Sequence, residues 1–138
     1  MLSQTAEYAL RAALCLAQHA EDPPVRVGEM AATLRIPRNY LSKILHQLAR
    51  QGVLRSLRGK AGGFRLAKPA KRLPLSAIIT PFDLVEARRH CLLGRPQCSD
   101  RTACSAHMRW KNVADTVAEF YRETTLADLL GRGAAFSV

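Results

Sequence analysis

Apolar residues recur at helical spacing from Ser3 to about Ala20, where Ala6, Ala9, Leu10, Ala13, Leu14, Leu16 and Ala17 share one side. The proline pair in "EDPP" (21–24) ends that helix, because proline cannot continue the backbone hydrogen-bond ladder. "VGEMAATLR" (27–35) predicts a second, short helix, stopped by "IP". The clearest pattern runs from Arg38 to about Gln51: Leu41, Ile44, Leu45 and Leu48 form an apolar face, and Gly52 supplies the stop. Its other face carries Arg38, Asn39, Ser42, Lys43, His46, Gln47 and Arg50.

The period then changes. "VLRSLR" (53–58) and "FRLA" (64–67) read as strands joined by the glycine-rich "GKAGG" (59–63). Two short helices meeting at a turn, followed by a glycine-tipped hairpin, is the order of a winged helix-turn-helix. The predicted fold is therefore mainly α with a small β-wing, with residues 1–75 forming the winged domain. Residues 76–138 are predicted to carry a loop and a long helix that pairs two subunits, in one compact unit with the first helix. "LPLSAII" begins a helix that Pro81 interrupts, and "FDLVEARRH" (82–90) resumes it. Cys91 to about Ala103 reads as a loop. A long helix follows from about Cys104 to Glu123, with Val113, Val117, Phe120 and Tyr121 on one side as the predicted dimerisation face. "TTLADLL" starts a last short helix, with Thr125 and Asp128 at capping-box spacing. The terminal "GRGAAFSV" is expected to fray, and no internal repeat is present.

Charge sharpens this picture. The 138 residues carry a formal net charge of +10. Residues 1–75 hold 13 Lys and Arg against 4 Asp and Glu, whereas 76–138 hold 8 against 7. From Met30 to Phe82 there are eleven basic residues and no acidic one. A solvated surface normally mixes signs, so this stretch points to an anionic partner, double-stranded DNA first. No apolar run approaches the roughly 18 residues of a membrane span. The start of the chain shows no basic leader or cleavage site, so a cytoplasmic protein with reduced thiols and no membrane partner is expected.

In a helix-turn-helix the second helix enters the major groove with its N-terminal side chains at base edges. Arg38 suits guanine there, and Asn39 or Gln47 suits adenine. Ser42 and Lys43 suit either bases or phosphates. Tyr40 is expected half-buried with its hydroxyl towards DNA or water. Arg58 and Lys60 flank the hairpin tip, which can approach a minor groove. Arg55, Arg65 and Lys68 read as phosphate contacts.

"CLLGRPQCSDRTACSAHMRW" (91–110) gathers three of the four cysteines and one of the four histidines. The spacing is Cys91-x6-Cys98-x5-Cys104-x2-His107, with Cys104 and His107 predicted on one face of the long helix. Such donors can enclose an iron–sulfur cluster or zinc. Structural zinc usually uses a tight Cys-x2–4-Cys knuckle, absent here, and wider gaps suit a cluster. Spacing leaves cluster, zinc and no metal all open. Paired carboxylates, a phosphate loop and a nucleophile triad are all missing, so no enzyme class is indicated. Cys15 falls on the apolar face of the first helix and reads as core. His90 reads as a solvated loop histidine, and Trp110 as packing on the loop or the subunit interface.

The chain resembles the IscR/NsrR/RirA-type bacterial regulators, the Rrf-two family, from "AEYALRAALCLA" to "TTLADLL". The resemblance rests on "YLSKILHQL", "RGKAGGFRLA", the three cysteines and "HMRW". It implies a homodimeric winged-helix transcription factor on a near-palindromic operator, bearing a cluster on Cys91, Cys98, Cys104 and a fourth, non-cysteine ligand. In IscR-like members that ligand matches His107 and the cluster is 2Fe–2S, here preferred over 4Fe–4S. In NsrR-like members it matches Glu7 of the partner subunit. Two features depart from the family: the first gap is x6 where IscR-like members usually have five, and Pro81 interrupts a helix that is commonly continuous.

Overall fold

In a computed structural model of the protein, the described residues are 2–83, 91–96 and 99–131. The predicted helix over 84–90, His90, Cys98 and the tail beyond Gly131 lie outside them.

Helix α1 (Gln4–Gln18) begins at Ser3, whose hydroxyl accepts from the Ala6 amide. Its alanines and leucines pack at the centre of the molecule. Helix α2 (Val27–Leu34) ends where Arg35 turns left-handed (φ 55°), and the Arg11 guanidinium of α1 donates to the Leu34 carbonyl at 2.6 Å. That cation satisfies an orphan carbonyl at the negative end of the helix dipole. Helix α3 (Arg38–Arg50) buries Leu41, Ile44, Leu45 and Leu48, the four positions its periodicity singled out. Each such side chain contributes about 1.5–3 kcal/mol of burial.

Strands β1 (Leu54–Leu57) and β2 (Gly63–Leu66) pair antiparallel, with Arg55 opposite Arg65 and Ser56 opposite Phe64. Val25 adds a bridge to Phe64 on the outer side of β2. Gly63 is required there: a Cβ would lie 2.5 Å from the Val25 carbonyl oxygen. This two-stranded hairpin is the wing, and with α1–α3 it completes a mainly helical winged helix-turn-helix.

Helix α4 (Leu75–Ile79) stops short because Pro81 has no N–H to extend it. Helix α5 (His107–Glu123) is the long helix, and α6 (Leu126–Leu130) opens on the expected Thr125–Asp128 capping box. Leu75 donates its amide to the Thr124 carbonyl, and Leu126 donates to Leu73. Through these bonds Leu73, Leu75, Ile78, Ile79 and Leu126 join the same core as α1. Helix α5 is different, since His107 is its only buried residue. Among the described residues, no helix is long and apolar enough to cross a membrane.

Candidate nucleic-acid interface and metal centre

The outward face of α3 and strand β1 enclose a groove of about 940 Å³. Ser42, Lys43, His46 and Arg50 line it from the helix, and Arg55 and Ser56 from the strand. His46 packs edge-on against Phe64 of the wing, with ring centroids 5.3 Å apart, which joins α3 to the wing beside the groove. Asn39, Arg58 and Lys60 are exposed, as a contacting surface requires.

Three sequence-predicted contacts have other partners. Gln47 is partly buried and its amide nitrogen donates to the Pro81 carbonyl at 3.0 Å, so that donor is engaged within the protein. The Tyr40 hydroxyl meets the Thr5 hydroxyl of α1, and its ring stands edge-on to Tyr8 at 5.8 Å. Tyr40 thus ties the reading helix to α1; it is partly buried as expected, but its hydroxyl is turned to Thr5. The Arg65 guanidinium lies at 3.4 and 3.5 Å from the Ala20 and Asp22 carbonyl oxygens, on the α1–α2 linker.

Loop 91–106 reverses the usual partition of side chains. Leu92 and Leu93 are 55% and 65% exposed, whereas Cys91 and His107 are each only 6% exposed. A buried thiol is ordinary, but burying an imidazole while leaving two leucines in water runs against what hydrophobicity alone dictates. Cys104 is partly buried. It does not sit on the long helix as the spacing predicted: α5 begins at His107, and Cys104 lies in the preceding turn, where its carbonyl accepts from the His107 amide at 3.0 Å. Ala106 at the N-cap offers no side-chain acceptor, so no capping residue marks this start in the sequence.

Asp100 is the residue the sequence reading missed. Its carboxylate accepts from His107 Nε2 at 2.9 Å, with Lys111 Nζ 3.6 Å away. The histidine hydrogen bond, then the Lys111 charge, hold the Asp100 carboxyl below the usual carboxylate range. The only sequence signal was an acid inside the cysteine-rich segment. A carboxylate on the second ring nitrogen is the usual companion of a ligating histidine, because it fixes the tautomer and the ring plane. The loop is also braced locally, with Arg95 donating to the Thr102 carbonyl and Ser99 meeting the Thr102 hydroxyl.

The donor chemistry fits a thiophilic centre: two withdrawn thiols and a carboxylate-held imidazole, with Cys98 outside the described residues. Among the described residues, no three His, Cys, Asp or Glu side chains are arranged to hold a metal ion. Glu7 is exposed in the first turn of α1. Cys15 is buried on α1, and burial pushes its thiol up, which keeps it protonated and unreactive.

Comparison with known proteins agrees with this architecture. The sequence model of the Rrf2 family, described as an iron-dependent transcriptional regulator, matches residues 2–132. An HTH-type transcriptional regulator of Aquifex aeolicus is 35% identical over 132 residues, covering 94% of this chain and 91% of the relative. The HTH-type transcriptional regulator IscR of Yersinia pseudotuberculosis is 30% identical, covering 94% and 78%. Among solved structures, CymR, the global cysteine regulator of B. subtilis, superposes with a TM-score of 0.79 at 23% identity, covering 94% of this chain and 95% of that one. IscR of T. potens gives 0.76 at 24% identity, covering 94% and 85%. At these identities the two structures speak to fold.

Proposed function

We propose, from the premise that the chain belongs to the Rrf2 family of HTH transcriptional regulators, that its DNA binding is governed by an iron–sulfur cluster on Cys91, Cys98, Cys104 and His107. The observation that carries this reading is the inverted loop, with Cys91 and His107 buried beside exposed leucines. A bound cluster supplies iron–thiolate bonds that respond to oxidants, nitric oxide and iron supply. A 2Fe–2S centre suits three thiolates and one imidazole better than 4Fe–4S. Asp100 sets the ring of His107, and Lys111 in turn holds Asp100. Glu7 from the partner subunit is the alternative fourth ligand.

On the DNA side, Asn39, Ser42 and Lys43 face the major groove from α3, and Arg58 and Lys60 carry the wing tip to the minor groove. Arg55 and Lys68 meet phosphates. Two copies act together: α5 leaves Val113 and Phe120 55% and 52% exposed, with Val117 and Tyr121 beside them. Pairing these faces covers that apolar surface. It also sets two reading helices on successive major grooves of a near-palindromic site.

Zinc on the same donors is the competing occupant, and it carries no colour. Protein purified without oxygen should be brown, with visible absorption bands and matching iron and acid-labile sulfide. A colourless protein containing zinc alone would contradict the cluster.

A further inference from the structure

A cleft of about 590 Å³ lies between the start of α2, the start of α3 and the wing tip. Arg26, Gly28, Glu29, Arg38, Gly59 and Gly62 are among the residues that line it. Arg38 was expected to point outward from the reading helix at a base. Instead its guanidinium carbon lies 4.0 Å from the place a Cβ would occupy on Gly28, so the group is folded back against α2. It makes no hydrogen bond or ion pair with any described residue. Arg26 spends one terminal nitrogen on the Lys60 carbonyl at the wing tip and keeps its other donors. The glycines hold the walls down to backbone: a Cβ on Gly62 would fall 2.5 Å from the Leu57 carbonyl oxygen.

Two guanidinium groups in a cleft walled by bare backbone suit a small tetrahedral oxyanion, since arginine's fork matches phosphate geometry. The charge around it decides the source. The cleft draws Arg38 and its wing residues from the acid-free stretch 30–82, and α3 and the wing also line the groove described above. Among the described residues, Glu29 is the one acid on the cleft, and its charge opposes the anion.

We propose that Arg26 and Arg38 clamp one backbone phosphate of duplex DNA and fix the register of the reading helix without reading a base. This rests on the DNA-binding reading above. Arg26 does double duty, because its bond to Lys60 ties the wing tip to the same phosphate.

The test uses the full chain and two probes: a duplex that the wild-type protein selects from a random-sequence pool, and a scrambled duplex of the same length and composition. Affinity is measured for each as a function of potassium chloride. Arg38→Ala should weaken both duplexes by a similar factor, about tenfold or more for removal of a charged hydrogen bond. It should also flatten the log–log salt slope by about 0.9 for each phosphate that is no longer neutralised. Arg38→Lys should keep the slope, because a point charge suffices for a phosphate, and Glu29→Gln should tighten binding to both duplexes. Arg38→Ala that changes the preferred base at one position, with the wild-type slope, overturns the clamp and returns Arg38 to base reading. Inorganic phosphate replacing chloride at equal ionic strength should not compete further. Competition that Arg38→Ala abolishes would make this a free-anion site and overturn the DNA assignment. Wild-type protein that binds neither duplex overturns the DNA-binding reading itself.

Discussion

The Gln47 amide nitrogen donates to the Pro81 carbonyl oxygen at 3.0 Å, strapping the reading helix to the end of α4. Pro81 ends α4, so its carbonyl is turned out of the helical ladder and available to a side chain. The next anchor is two residues on, where the Asp83 carboxylate accepts from the Ser3 amide at 2.7 Å. Segment 81–83 is therefore held by both α3 and α1. Gln47→Ala should cost about 1 kcal/mol of stability in denaturant unfolding, typical of one partly buried hydrogen bond. It should leave base preference unchanged. A selective loss of adenine at one operator position would mean that Gln47 leaves Pro81 to read DNA.

The long helix supports a prediction about assembly. Phe120 and Tyr121 meet edge-on at 5.6 Å, and Phe120 stays half in water within one chain. A stable pairing must bury upwards of about 1,000 Å² in total, which a 17-residue apolar-faced helix from each copy can supply. Sedimentation at micromolar concentration should show a dimer, and Phe120→Asp should yield a folded monomer with weakened operator binding. A wild-type monomer, with or without metal, would contradict the pairing.

The capping box of α6 predicts a pH response. Asp128 accepts from the Thr125 amide and hydroxyl, each at 2.8 Å, and these bonds hold its carboxyl below the usual range. A folded pKa below the unfolded one means that this stabilisation is present above the unfolded value, near 3.9, and is lost as pH falls through the folded one. Thr125→Ala removes the cap at a cost of about 1 kcal/mol near neutrality. Because Leu126 is fully buried in the shared core, the loss should appear in global unfolding. The variant should lose less stability than the wild type between neutral pH and pH 3. An identical acid profile for both would show that the box does not contribute.

Local rules made much of this fold legible in the sequence. The buried face of α3 follows from period alone, the wing from its glycines, and the α6 box from a spacing of three residues. What was not legible depends on distant partners. Gln47 finds Pro81, Tyr40 finds Thr5 and Arg65 finds the α1–α2 linker across 34, 35 and more than 40 residues, and no pattern at α3 or the wing announces them. Arg38 likewise folds towards α2 and comes to rest beside Gly28, a fact of tertiary approach. The cysteine and histidine spacing was visible, yet the start of α5 was misplaced by about one turn because no capping side chain marks it.

Occupancy of the proposed Cys91, Cys98, Cys104 and His107 centre is expected to change how the protein binds DNA. A ligand shifts such an equilibrium only by its differential affinity for the two states. The direct measurement compares operator affinity for cluster-loaded wild type, cluster-free wild type, Cys98→Ala and Cys15→Ala, all without oxygen. Cys15→Ala should keep the visible bands and the loaded affinity. Cys98→Ala should lose the bands and bind as the cluster-free protein does, differing from the loaded form by about 5- to 150-fold, the range typical of allosteric coupling. If Cys98→Ala loses its bands and still binds every duplex as the loaded wild type does, the centre is structural and the sensing account is wrong.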